Sequence, residues 1–191
     1  HLIAGGSDVD QAKDGDHTDH GGRYRRQDEY AHILRRTWTE QAPFDHDGEF
    51  YSIQGAYADI RCVQAPYIPL YGGGGSDAAI DALAPPVDVF MLWGEPLADT
   101  AHFMGRVRDA AQAHGRKPTF SLSTRPILAD TDDKAWDRAR SILDQIERSG
   151  VGPQSRQNVG SKRLLAAAAK AEVHDACLWT KLAEATGARG N

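Results

Sequence analysis

The apolar positions of the chain alternate between short continuous runs and runs at helical spacing. Short apolar runs are typical of strands that enter a core, and they predict strands at residues 2–4, 67–71, 87–92 and 119–128. Helical spacing of apolar residues predicts the intervening helices, at residues 24–40, 77–84, 97–114 and 131–148. Strands that alternate with helices along a chain favour an α/β fold with a parallel sheet.

The segments between these elements predict less regular structure. Residues 7–22 are rich in Asp and Gly and are predicted to form a polar loop, and residues 44–51 predict a turn leading into a short strand. Residues 150–160 contain three Gly and one Pro, which predicts a mobile linker. The Ala-rich segments beyond it predict two short helices, residues 163–170 and 174–185, with no strand between them.

Composition narrows the class of protein. The chain has 191 residues, 40% of them hydrophobic, which suits one globular domain or a large piece of one. A net charge of −5 argues against a broad nucleic-acid surface, and the basic residues Arg23, Arg25 and Arg26 are expected on one helix face. No segment reaches the roughly 18 apolar residues of a membrane span. Cys62 and Cys177 fit neither a zinc motif nor a disulfide framework, so we expect a cytoplasmic protein.

The most informative chemical motif is Gly72-Gly73-Gly74-Gly75-Ser76, between a predicted strand and a predicted helix. Glycines there let the backbone approach an anion, which meets free N–H groups and the positive end of the helix dipole. The motif therefore predicts a phosphate site. The alternative is a plain glycine-rich connection in which Ser76 or Asp77 caps the helix.

Two folds can carry a phosphate at such a loop. The spacing Gly73-x-Gly75-x-x-Ala78, with Glu95 twenty residues after Gly75, satisfies the dinucleotide-binding fingerprint. A β/α barrel places a comparable phosphate loop at its C-terminal face. A dinucleotide-binding domain usually begins at the strand before the loop, whereas here residues 1–66 precede that strand. The barrel is therefore favoured.

His17 and His20, with Asp14, Asp16 and Asp19, have the chemistry of metal ligands. Nothing further along the chain completes such a set, so a solvated acidic loop is the preferred interpretation and no metal site is predicted.

The ordered motifs of the chain resemble those of the bacterial luciferase-like flavin monooxygenases, with the alkanesulfonate monooxygenase branch the nearest match. The longest is Gln-Ala-Pro-Tyr-Ile-Pro-Leu-Tyr-Gly-Gly-Gly-Gly-Ser-Asp-Ala-Ala at residues 64–79. The others lie, in order, at residues 2–6, 20–24, 28–30, 44–51, 93–96, 107–108, 114–116 and 135–136. Each motif alone is modest, but their order over residues 2–148 is specific.

The resemblance implies a (β/α)8 barrel that uses reduced FMN, supplied by a separate NAD(P)H-dependent flavin reductase, to oxygenate a small organic substrate with O2. It implies an alkanesulfonate as one possible substrate, a homo-oligomer, and no nucleic-acid or membrane partner. A complete barrel needs about 250 residues. We therefore expect this chain to hold about strands 4–7, with a partial barrel and phosphate loop at residues 1–149 and a mobile helical insertion at residues 150–191. By itself it is expected to be weak or inactive.

The resemblance also assigns candidate site residues. Gly74, Gly75 and Ser76 would hold the FMN phosphate, while His20 and Tyr24 would line the flavin pocket, with Thr18 beside them. The alkanesulfonate enzymes carry an Arg-x-His pair on the strand matched by residues 120–128, where this chain has Ser123 and Arg125. Arg125 is therefore the candidate catalytic residue, because a guanidinium can pair with an anionic substrate.

Two other functions stay open at this point. A deazaflavin-dependent oxidoreductase on the same barrel would transfer hydride without O2. A flavin- or dinucleotide-binding module that uses Gly73, Gly75 and Glu95 would bind without catalysis.

Overall fold

A computed structural model describes residues 1–150 and 159–188 of the chain. Its elements are, in chain order, α1 (Asp8–Lys13), α2 (His20–Thr39), β1 (Phe44–Asp47), β2 (Ser52–Ala56), β3 (Tyr71–Gly73), α3 (Asp77–Leu83), β4 (Val89–Trp93), α4 (Leu97–Gln112), β5 (Thr119–Ser123), α5 (Asp132–Arg148), α6 (Val159–Ala168), β6 (Val173–His174), β7 (Leu178–Trp179) and α7 (Lys181–Thr186). The chain divides into two compact units. One contains His1–Met91 with Met104–Ser121, and the other contains Leu92–Phe103 with Leu122–Asn191.

The main sheet has the strand order β3-β4-β5. Strands β3 and β4 are parallel, with Tyr71 opposite Val89 and Gly73 opposite Met91. A single parallel bridge joins Leu2 to Gly72 on the other side of β3. Parallel strands joined by the intervening helix α3 form the βαβ arrangement of an α/β protein, in agreement with the prediction and with part of a barrel.

The core of the first unit lies between this sheet and the helices α2, α3 and α4. Its buried apolar residues include Ala31, Ile33, Leu70, Ala79, Ile80, Leu83, Val87, Phe90, Val107 and Ala111. Helix α2 packs on α3, so the N-terminal part of α2 is held beside the glycine loop.

The hairpin of β1 and β2 is antiparallel and is held to α2 through Glu29. The Glu29 carboxylate accepts hydrogen bonds from the backbone N–H groups of Phe50 and Tyr51, both at 2.9 Å, and lies 2.8 Å from Nε2 of His46. Burial of this carboxyl opposes its ionisation, but these hydrogen bonds outweigh burial and hold the pKa of Glu29 below its ordinary value. A half-buried, ionised carboxylate therefore holds the hairpin to α2.

The second unit contains α5, α6 and α7. Helices α6 and α7 meet through Leu164, Ala183 and Ala188, and α5 contacts α7. Trp136 of α5 packs edge-on against Trp179, with ring centroids 5.9 Å apart. The predicted linker falls mostly on residues 151–158, which lie outside the described residues.

The starts of α3 and α5 agree with the prediction, whereas α2 begins at His20, four residues before its predicted start. Asp19 caps α2, Ser76 caps α3 and Thr131 caps α5, each accepting a hydrogen bond from the first turn. The predicted polar loop at residues 7–22 is wrong, because α1 forms inside it with Ser7 as its cap and acidic residues in its first turn.

Four strand predictions also need correction. At residues 2–4 only Leu2 pairs, in a single bridge, and Ile3 is exposed rather than in the core. The strand predicted at residues 67–71 lies at Tyr71–Gly73, because pairing with β4 outweighs the poor strand propensity of glycine. The strand predicted at residues 119–128 ends at Ser123. The segment beyond α6 does contain strands, since the two-residue strands β6 and β7 pair with each other.

Candidate functional site

The glycine loop connects β3 to α3, as the phosphate-site prediction requires. Strand β3 ends at Gly73 and α3 begins at Asp77. The Ser76 hydroxyl accepts a hydrogen bond from the Ala79 N–H at 3.1 Å. The first N–H groups of a helix have no acceptor within that helix. Ser76 supplies one for Ala79, and an anion ahead of the helix would supply others.

Gly74 lies where only a glycine fits. A Cβ built at this position would stand 2.5 Å from the Cβ of Ala79 and 2.6 Å from the hydroxyl oxygen of Tyr24. Both distances are below van der Waals contact, so any side chain at this position would displace α3 or Tyr24. The glycine predicted from sequence to line the site is thus required by the packing of the loop.

Tyr24 joins the glycine loop to helix α2. Its side chain is buried and its hydroxyl is hydrogen-bonded to Ser76. Burial raises the pKa of Tyr24 above its ordinary value, although the hydrogen bond to Ser76 and the charge of Arg23 oppose that change. Tyr24 is therefore a neutral phenol near pH 7, with a hydrogen-bond donor beside Gly74.

His20 and Thr18 lie on the same side of the unit as Tyr24. The rings of His20 and Tyr24 meet edge-on with centroids 5.0 Å apart. The Thr18 N–H donates to Asp16 at 3.0 Å, and its hydroxyl lies 3.3 Å from Arg26. The hydrogen bond from Arg26 holds the pKa of Asp16 well below its usual range, with the Thr18 N–H adding to it. Thr18 is thus held by an ionised carboxylate and a guanidinium.

The structure brings together five of the predicted cofactor residues through contacts. His20, Tyr24, Gly74 and Ser76 are joined directly, with Gly75 between the last two in the loop, whereas Thr18 is linked to His20 through Arg23.

Arg23 is a central residue of this cluster that the sequence pattern missed. Its side chain is 1% exposed, and it donates to the carbonyl oxygens of Ala4 at 3.0 Å and Thr18 at 2.6 Å. It also pairs with the carboxylate of Asp8 at 2.7 Å. The expectation that Arg23, Arg25 and Arg26 share one face is wrong, because Arg25 is exposed and bonded to Glu49.

Arg125, the predicted catalytic residue, belongs to the second unit. It lies two residues beyond the end of β5 and is exposed. Ser123 is exposed as well, and its carbonyl accepts from the Gly94 N–H at 3.0 Å. Among the described residues Arg125 has no hydrogen bond or ion pair, so its guanidinium is available to a ligand.

A second polar cluster lies within the second unit. The carboxylate of Glu95 pairs with Arg163, whose guanidinium stacks over the ring of Phe103 at 4.4 Å from its centroid. Burial raises the pKa of Glu95, and Arg163 opposes that rise. A Cβ at Gly160 would stand 2.7 Å from the ring of Trp93, so α6 approaches Trp93 closely. Glu95 does not cap α4, since the Leu97 N–H donates to Asp175 at 2.9 Å.

In residues 1–150 and 159–188, no three His, Cys, Asp or Glu side chains stand together as metal ligands would. No helix in the same part of the chain is long and apolar enough to cross a membrane.

The cluster around the glycine loop can bind an oxygen-rich anion. It offers loop N–H groups, the one O–H that the hydrogen bond between Tyr24 and Ser76 leaves free, and a backbone that has no room for a side chain at Gly74. A phosphate or a phosphate-bearing cofactor matches this set of donors.

Comparison with known proteins shows similarity to one family and its fold. The family model for luciferase-like monooxygenases matches residues 1–190. A riboflavin lyase, crystallised with modified FMN and riboflavin, superposes with a TM-score of 0.63 at 19% identity, over 70% of this chain and 35% of its own. The EDTA monooxygenase of Chelativorans sp. BNC1 superposes with a TM-score of 0.59 at 18% identity, over 72% of this chain and 38% of its own. An F420-dependent secondary alcohol dehydrogenase superposes with a TM-score of 0.54 at 15% identity, over 62% of this chain and 37% of its own. The chain therefore spans little more than a third of these structures.

Proposed function

The chain belongs to the luciferase-like monooxygenase family, and from this premise we propose that it carries the phosphate-binding part of an FMNH2-dependent monooxygenase. The enzyme would use O2 to oxygenate a small organic substrate, an alkanesulfonate being one candidate. A separate NAD(P)H-dependent reductase would supply the reduced FMN, and the enzyme would act as a cytoplasmic homo-oligomer.

The observation that carries the proposal is the packing of Gly74 between Ala79 and the Tyr24 hydroxyl. This contact joins the loop between β3 and α3 to α2, which bears the other predicted cofactor residues. A glycine-rich connector alone would not require a buried tyrosine hydroxyl, bonded to the helix cap, at the same place.

Each residue has a distinct part in this proposal. Gly74, Gly75 and Ser76 would bind the phosphate, the first two through backbone N–H groups and Ser76 through its hydroxyl. Tyr24, His20 and Thr18 would offer hydrogen bonds to the rest of the cofactor. Bound FMN would supply the redox chemistry with O2, which no side chain provides.

Arg125 would act on the substrate rather than on the cofactor. An exposed guanidinium without a partner among the described residues can bind a sulfonate or carboxylate through two parallel hydrogen bonds. It would orient an anionic substrate and does not need to exchange a proton.

An anaerobic titration tests the proposal by comparing reduced FMN with reduced riboflavin, which lacks the phosphate. We expect the chain to prefer FMN and Gly75→Asp to weaken FMN binding about 10- to 100-fold, because hydrogen bonds to charged groups contribute about 1.5–3 kcal/mol. Gly105→Asp is the matched control, because it adds the same charge in α4 where a Cβ has nothing within 4 Å. Equal affinity for FMN and riboflavin would contradict the assignment of the loop.

A second candidate is hydride transfer with coenzyme F420. It is favoured by the similarity to an F420-dependent alcohol dehydrogenase and to an F420-dependent tetrahydromethanopterin reductase from Methanopyrus kandleri, which gives a TM-score of 0.55 at 16% identity. Titration with F420 beside FMN separates the two, since the cofactor of this site should bind the wild-type chain more tightly and lose affinity in Gly75→Asp.

The dinucleotide-binding alternative has less support. It needs Glu95 to accept hydrogen bonds from a ribose, whereas the Glu95 carboxylate is engaged by Arg163.

A further inference from the structure

Arg23 contacts the imidazole ring of His20, and this contact bears on which ring nitrogen carries the proton. Its guanidinium nitrogen lies 3.4 Å from Nδ1 of His20, within hydrogen-bond distance. A guanidinium has only N–H donors and no acceptor. The contact is therefore a hydrogen bond only when Nδ1 of His20 carries no proton and accepts.

The position of Arg23 leaves it little freedom to turn away from His20. Its side chain is 1% exposed, and its nitrogens are held by the carbonyl oxygens of Ala4 and Thr18 and by the carboxylate of Asp8. A buried guanidinium keeps such partners because an unpaired buried donor is costly. The nitrogen facing Nδ1 also donates to the carboxylate of Asp8 at 2.7 Å and lies 3.5 Å from the carbonyl oxygen of Gly5. The short contact with Asp8 sets its direction, and its second N–H points to the side shared by Nδ1 and the Gly5 oxygen.

We propose that Arg23 is a positioning residue that selects the tautomer of His20 with the ring proton on Nε2. The partner of one ring nitrogen selects which nitrogen bears the proton. Nδ1 faces Arg23, and the ring edge contacts Tyr24 at a centroid distance of 5.0 Å. Among the described residues Nε2 of His20 has no hydrogen-bond partner, so its N–H is left for a ligand.

The tautomer of His20 determines which atom of a bound cofactor it can contact, and this step rests on the proposed function. His20 would offer a donor and not an acceptor, and so it would select an acceptor atom, a carbonyl oxygen or an unprotonated ring nitrogen, on the bound molecule. Arg23 also holds Thr18 through its carbonyl oxygen at 2.6 Å. One buried side chain thereby sets the orientation of two candidate cofactor residues.

The test is the ¹⁵N NMR spectrum of the imidazole rings in protein labelled at histidine, without any ligand. The chain has 8 His, and a His20→Gln variant identifies the signals of His20. We expect a pyridine-type nitrogen at Nδ1 and a pyrrole-type nitrogen at Nε2. The reverse pattern in the wild-type protein would overturn the proposal without any further variant.

Two variants separate positioning from general stability. Arg23→Lys keeps the charge but loses the planar fork, so we expect the two ring signals of His20 to move toward each other as both tautomers become populated. Arg25→Lys is the matched control on the same helix, where Arg25 is exposed and bonded to Glu49, and it should leave these signals unchanged. Equal effects of both variants, or no effect of Arg23→Lys, would show that Arg23 does not set the tautomer.

The readout does not depend on cofactor binding, so the two proposals fail independently. If His20 has the expected tautomer but FMN does not bind, the proposed function fails and the inference stands. If FMN binds but Nδ1 carries the proton, the inference fails and the phosphate site stands.

Discussion

Replacing Gly74 by alanine tests the geometry on which the candidate site depends. The added Cβ would lie 2.5 Å from the Cβ of Ala79 and 2.6 Å from the Tyr24 hydroxyl oxygen. Two carbon atoms are most stable at about 3.5–4.0 Å, so α3 must move by about 1 Å. The Ala79 Cβ is fixed to the helix backbone and cannot turn aside. The Tyr24 ring is buried and bonded to Ser76, so it has little room to move.

The size of the effect follows from two opposing contributions. Overpacking of a closely packed site costs about 1–3 kcal/mol. Exchanging glycine for alanine also removes freedom from the unfolded chain, which stabilises the fold by about 0.4–1 kcal/mol. The net expectation for Gly74→Ala is a loss of about 1–2 kcal/mol, together with weaker binding of reduced FMN.

Urea unfolding measures the stability change from the midpoint at constant m-value. Gly105→Ala in α4 is the matched control, because the same exchange there meets nothing within 4 Å. It should stabilise the protein by about 0.5–1 kcal/mol, as expected for a helix interior. If Gly74→Ala is as stable as Gly105→Ala, the loop is not tightly packed and the argument for the site is wrong.

Three further predictions follow from polar contacts. The pKa of Glu29 in the folded protein is below its ordinary value of 4.5. Its contribution to stability is therefore complete above about pH 4.5 and is lost as the pH falls through the lower pKa of the folded state. The stability of Glu29→Gln, measured by circular dichroism, should depend less on pH in this acidic range. Arg163→Met leaves the Glu95 carboxylate without its ion-pair partner. It should therefore destabilise the protein more than the double variant Arg163→Met with Glu95→Gln does. A double-mutant cycle of urea unfolding measures this difference. Ser76→Ala removes the cap of α3 and should cost about 0.5–2 kcal/mol in the same assay, with reduced affinity for FMN; unchanged values of both would contradict the assigned role of this hydroxyl.

The elements that sequence predicted well are those fixed by local chemistry. Helices α3 and α5 begin after a Ser and a Thr cap, and the apolar spacing of α2 and α5 continues for several turns. Strand β3 could not be placed in this way. Its residues Gly72 and Gly73 have poor strand propensity, and they are extended because they pair with β4. Long-range pairing of this kind is not present in the local pattern.

The candidate site likewise has residues that the local sequence predicts and residues that only long-range contacts reveal. The glycine loop was predicted because its residues are contiguous and its chemistry is local. Arg23 was missed because, in sequence, it resembles Arg25 and Arg26, and nothing near it indicates burial. Only the fold shows that its partners lie up to 19 residues away. The Arg163 partner of Glu95 was missed for the same reason, at a separation of 68 residues.

The arrangement of charges around the loop indicates how the site would recognise an anion. Arg23 is occupied by backbone carbonyl oxygens and by Asp8, and Arg106 is paired with Asp77 at 2.6 Å. These cations hold the protein together and are not free to bind phosphate. The donors that remain are neutral: the loop N–H groups and the one O–H that the hydrogen bond between Tyr24 and Ser76 leaves free. Neutral donors act only at short range and in fixed directions, so recognition here depends on geometry more than on charge. That is why a single methyl group at Gly74 is expected to affect binding and stability together.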